Sequence, residues 1–198
     1  MIPDTRYSLI TRLADSADQD AWAEFESVYR PVVYHAARAH GLQDADAQDL
    51  VQQVMISISR AMKQRPHDDQ RAKFRTWLFS VTRNAIINSI QRRPSDCGTG
   101  DTDQIKRLQA VPNPADDSAV FESEYKRAVF NWAAGKIKQE FSEETWQAFW
   151  FTMIDGMSCE QAAAKLGKEV GSIYAARSRI VRRLKKKVEE FDESSQMF

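Results

Sequence analysis

The sequence predicts an all-α fold: two small helical domains joined by a flexible linker. Three observations carry this. Apolar residues recur at spacings of three and four along most of the chain, which is the signature of amphipathic helices. No stretch sustains the strict alternation of a half-buried strand. Near the middle, the helical pattern gives way to PSDCGTGDTDQIKRLQAVPNPADD, residues 94–117, rich in Pro, Gly, Asp and Thr. The expected division is a first domain over 1–94, a linker over 95–117 and a second domain over 118–198.

In the first part, Trp22, Phe25, Val28, Val32 and Ala36 form one apolar stripe, and Leu50, Val54, Ile58 and Met62 another. Pro31 lies within the first stripe and is expected to kink it. Gly41 suits a helix C-terminus, and Asp44 is placed to cap the next helix, with Asp46 and Asp49 where the dipole favours carboxylates. A third stripe, Phe74, Trp77, Val81, Ala85 and Ile90, runs until Pro94 forbids continuation. Phe74 and Trp77 read as core aromatics.

After the linker, Phe121, Tyr125, Val129, Trp132 and Ile137 mark a helix. Ser142 caps a shorter one carrying Trp146, Phe149, Trp150 and Met153, and Gly156 ends it. Ser158 and Gln161 have capping-box spacing. A short helix then stops at Gly167, three residues turn the chain, and a long helix follows with Ile173, Ala176, Ile180, Leu184 and Val188 on one side. That is helix-turn-helix spacing, with Ala162 and Ala163 small enough for close approach and Leu166, Val170 and Ile173 available to fill the wedge.

Composition excludes several classes of function. With 42% hydrophobic and 28% charged residues the chain is an ordinary folded protein. Neither a basic-then-apolar start nor a run of membrane-spanning length occurs, so a cytoplasmic protein without membrane insertion is expected. Cys97 and Cys159 have no CxxC partner and read as reduced thiols, Cys159 packed at a helix start. His35, His40 and His67 are scattered, with no metal spacing, nucleophile–base pairing or phosphate loop. Neither an enzyme nor a metal or other cofactor is expected.

Zero formal net charge hides a strong segregation. Residues 71–93 hold six Lys or Arg and no acid. Residues 94–118 hold five Asp against Lys106 and Arg107, and 177–187 hold seven basic residues in eleven positions with no acid. A basic second helix of a helix-turn-helix fits the DNA major groove. Its expected base-facing residues are Ser172, Tyr174, Ala175, Arg177, Ser178 and Arg179, with Arg182, Arg183 and Lys185 to Lys187 on phosphates. Residues 71–93 interleave basic groups with rings and the amides Asn84, Asn88 and Gln91, a pattern suited to unpaired bases.

Taken in order, DADAQDLVQQVMISISRAM, FRTWLFSVTRNAIINSIQRR and SCEQAAAKLGKEVGSIYAARSRIVRRLKKK resemble an extracytoplasmic-function sigma factor of the sigma-70 family. The resemblance covers about 8–94 and 118–188. It implies a sigma2-like and a sigma4-like domain, with core RNA polymerase and promoter DNA as partners and room for an anti-sigma factor. It further implies that Asp49, Gln52 and Gln53 face the polymerase and that Arg75, Arg83, Asn84, Ile87, Asn88 and Arg92 meet the minus-ten element, helped by a loop over 64–73. The upstream element would be met by Ser172, Tyr174, Ala175, Arg177, Ser178, Arg179, Arg182, Arg183 and Lys186. Gln53 and Asn88 stand where relatives commonly carry Glu and Asp, and Tyr174 and Ala176 where they are often basic. The competing readings are a dimeric helix-turn-helix regulator without sigma activity, and a helical protein-binding adaptor.

Overall fold

The structure, a computed structural model, describes residues 7–64, 74–92 and 114–192. All regular structure among them is helical: α1 (Tyr7–Arg12), α2 (Gln19–Ala39), α3 (Asp44–Gln64), α4 (Phe74–Arg92), α5 (Pro114–Ile137), a 3-10 turn (Lys138–Glu140), α6 (Glu143–Met153), α7 (Cys159–Leu166) and α8 (Val170–Asp192). One compact unit ends at Ala128 and a second covers Val129–Glu193, so the change of unit falls inside α5. The loop expected over 64–73 and nearly all of the 95–117 linker, with Cys97 and His67, lie outside the described residues.

In the first unit α1 packs on α2, α2 on α3 and α3 on α4. Sequence periodicity misses the short α1, yet Leu9 within it and Leu13 just after it are buried. Helix α2 opens on Asp18, whose carboxylate accepts from the Ala21 amide, and runs unbroken through Pro31. It closes before Gly41, which takes φ +77°, a conformation only glycine adopts without strain. Asp44 does not cap α3. It is the first helical residue, and its side chain accepts from the Tyr34 hydroxyl at 2.5 Å and from Gln48 at 2.8 Å.

The third stripe is rotated from its expected position. Phe74, Leu78, Thr82 and Ile86 are the buried line of α4, while Trp77, Val81 and Ala85 are half-buried. The reason is that α4 is covered on two sides, by α3 and by the first turns of α5. Phe79 meets Phe121 edge-on with ring centres 5.5 Å apart, and Arg75 lies 5.4 Å from the centre of the Tyr125 ring. Tyr125 in turn stacks on Tyr29 of α2 at 5.7 Å, and Phe25, Tyr29 and Phe74 form an edge-to-face cluster. Phe74 is core, as expected.

In the second unit, α6, α7 and α8 pack on one another. Ser142 caps α6 by accepting from the Thr145 amide. The expected capping box at α7 is complete: the Gln161 amide donates to Ser158 Oγ, and the Ser158 amide donates to Gln161 Oε1. Gly167 takes φ +62° and turns the chain out of α7, which permits the short connection to α8. Ala148, Cys159, Ala162, Ala163, Ile173 and Ala176 form the core of the two-helix turn, with Leu166 and Phe151 at its edge. Val170 was expected in the wedge but is exposed, because α8 begins at this residue and points it outward.

Candidate nucleic-acid interface

Helix α8 buries Ile173, Ala176, Ile180, Leu184 and Phe191, a line at helical spacing. Opposite it, Gly171, Ser172, Tyr174, Ala175, Ser178, Arg179, Arg182, Lys185 and Lys186 are exposed. The first turns of the second helix therefore present a free face, which is the geometric requirement for entering a major groove. Most expected upstream-element residues lie on it.

Two of them do not. Arg183 is turned inward to Glu140, with Nε and one terminal nitrogen each donating to a carboxylate oxygen at 2.6 Å, and it reaches Glu190 at 3.5 Å. This two-pronged pair holds the arginine above its ordinary range and the Glu140 carboxyl below. Lys187 is likewise held by Glu190 at 2.8 Å, near the Trp132 ring. Arg177, placed between Ile173 and Ile180 along the buried line, is half-buried, with a terminal nitrogen 3.9 Å from Cys159 Sγ. A single helix period cannot distinguish Arg182 from Arg183; an acid forty-three residues upstream in the 3-10 turn does.

Glu140 and Glu190 both lie below their ordinary carboxyl value of 4.5, Glu140 chiefly through Arg183 and Glu190 chiefly through Lys187. Because the folded state keeps them charged to lower pH than the unfolded chain, their stabilisation is complete above the unfolded carboxyl range and is lost as pH falls through their folded values. Denaturant unfolding of the second unit, followed between pH 7 and pH 3, should therefore lose more stability in the native chain than in Arg183→Met. Identical pH profiles would contradict this assignment.

In the first unit the six residues expected at the minus-ten element separate into two faces. Asn84, Asn88 and Arg92 line a groove between α3 and α4 of about 650 Å³, together with Gln53, Ser57 and Asp46 of α3. Asn84, Asn88 and Arg92 are exposed. Arg75, Arg83 and Ile87 look the other way, toward α5. Arg83 Nε donates to Asp117 Oδ2 at 2.8 Å, and Arg75 Nε lies 3.4 Å from Glu122. Ile87 lines a small cavity with Phe79, Thr82, Asp117 and Phe121.

Asp117 is the residue the sequence does not point to. Its carboxylate is 4% exposed, and it also meets His40 Nε2 at 2.7 Å, while His40 Nδ1 lies 2.7 Å from the Ala36 carbonyl. One aspartate so joins α2, α4 and α5. Its partners are 77 and 34 residues away, and nothing local in an Asp-rich stretch marks it as buried.

On α3, Asp49, Gln52 and Gln53 are all exposed, and Gln53 shares the groove with the α4 amides. Among the described residues there is no cluster of three or more His, Cys, Asp or Glu that could hold a metal, and no helix long and apolar enough to cross a membrane.

Residues 27–94, which include α3 and α4, match the family described as Sigma-70 region 2. Over 169 residues the chain is 27% identical to the ECF RNA polymerase sigma factor SigE of Mycolicibacterium smegmatis, a likeness that takes in 85% of this chain. The chain spans about 60% of that relative's length. Its region 2 segment, and its likeness over most of its residues to an extracytoplasmic-function factor, make the chain similar to the sigma-70 factors of that type.

Proposed function

We propose that the chain is a sigma factor: it directs bacterial RNA polymerase to specific promoters and assists their opening, while the polymerase performs the chemistry. The observation that supports this most is the free face of α8, displayed by a capped helix-turn-helix in a chain whose first part matches region 2. In this reading Ser172, Tyr174, Ala175, Ser178 and Arg179 meet duplex bases at the upstream element. Arg182 and Lys186 add salt-sensitive phosphate contacts.

Asn84, Asn88 and Arg92 take the minus-ten element, with the groove they line as the receiving surface for separated bases. Unpairing costs a few kcal/mol per extruded base, which contacts to bases and phosphates offset. Arg75 and Arg83 contribute by holding the α5 turns against α4. The partners are core polymerase and promoter DNA, with an anti-sigma factor compatible, and the site of action is the cytoplasm. The functional division stays at 1–94 for polymerase and minus-ten binding and 118–198 for upstream binding.

Transcription by purified bacterial core polymerase on a genomic template library tests the reading. Addition of the chain should yield transcripts that start downstream of a shared two-part motif. No transcripts above the core-only control would overturn it, and tight site binding by the isolated chain as a dimer would identify a regulator instead. Asp49→Lys should weaken capture of core polymerase about tenfold, given 1 to 2 kcal/mol for one reversed charge at an interface rim. An unchanged pull-down would remove Asp49 from that surface.

A further inference from the structure

The largest side chain on the exposed face of the first α8 turns is Tyr174, 49% exposed. Arg177, one turn later, would be the obvious guanine reader by residue type. Its position tells otherwise. Its guanidinium lies between two neighbours: 3.9 Å from the sulfur of Cys159, a residue 6% exposed at the start of α7, and 5.4 Å from the centre of the Tyr174 ring. From there it braces the ring on the side of the core, with the cation toward the aromatic group.

The Tyr174 ring, half exposed, is the widest apolar surface that this face offers. Along the major groove every base edge shows donors or acceptors, but only thymine adds an apolar feature, its C5-methyl group.

We propose that Tyr174 is a specificity-determining residue of the upstream reader, selecting thymine through contact between its ring and the base methyl group, and that Arg177 is a positioning residue that holds the ring. This rests on the DNA-reading role proposed for α8 and goes further by naming the base feature read.

The test uses the full chain assembled with core polymerase. A duplex library randomised upstream of the start site is first put through selection. In the selected duplex each thymine is then replaced singly by deoxyuridine, which removes only the methyl group, and each guanine by 7-deazaguanine, which removes only the N7 acceptor.

At one or two thymines, deoxyuridine should weaken binding about fourfold, the loss expected for one buried methyl group. That penalty should vanish in Tyr174→Ala, persist in Tyr174→Phe, which keeps the ring, and shrink in Arg177→Met. Its persistence in Tyr174→Ala, or its loss in Tyr174→Phe, would overturn the assignment. A 7-deazaguanine penalty that depends on Arg177 would show that the arginine reads a base and would overturn its positioning role. A library that yields no selected sequence above core polymerase alone defeats the sigma-factor reading itself, whereas successful selection without a Tyr174-dependent thymine defeats only this inference.

Discussion

Replacing Asp117 with alanine should destabilise the first unit by about 2 to 4 kcal/mol, since a buried charge network then loses its central carboxylate. The carboxylate accepts from Arg83 and meets His40, whose side chains are 21% and 11% exposed, so each loses a mostly enclosed contact that ties α5 to its neighbours. Asp117→Asn keeps the shape and one good acceptor and should cost roughly half as much. Urea unfolding followed by the fluorescence of Trp22 and Trp77 measures both, and Arg83→Met should lower stability in the same transition. If Asp117→Ala shifted the urea midpoint by no more than an exposed control such as Asp20→Ala, the network would not be holding α5 in place.

The second large effect concerns salt. If Arg182 and Lys186 each neutralise one phosphate, replacing both by alanine should flatten the dependence of log affinity on log salt by about 1.8 units, at about 0.9 per contact. Promoter affinity of the assembled holoenzyme at several salt concentrations provides the measurement. Arg183→Ala is the informative control, because its guanidinium is bound to Glu140 and Glu190 rather than displayed. It should leave the slope unchanged while lowering the stability of the second unit. A slope that fell by one unit in Arg183→Ala would mean that the Glu140 pair opens to let this arginine reach DNA.

These two experiments fall on either side of a division among the basic residues that charge counting alone cannot draw. Seven basic residues between Arg177 and Lys187 look equivalent as a run. In the folded chain Arg183 and Lys187 serve the second unit's own acids, and Arg177 sits against Cys159. Arg179, Arg182 and Lys186 remain on the exposed face. In the first unit, likewise, Asn84 and Asn88 face a groove while Arg75 and Arg83 anchor α5.

The sequence by itself determined the helical class, most helix ends and the helix-turn-helix, because these depend on interactions within a few residues. The Ser158 capping box, the positive φ of Gly167 and Gly41, and the apolar period of α2, α3 and α8 are all local. It also carried the family resemblance, since ordered motifs survive without coordinates. Only the tertiary structure decided which charges are free. Asp117 joins residues 77 and 34 positions away, and Glu140 claims an arginine 43 positions on. Such pairings depend on how helices pack and are invisible to any short window. The rotation of the α4 stripe has the same cause, a second neighbour whose approach the helix's own periodicity does not encode.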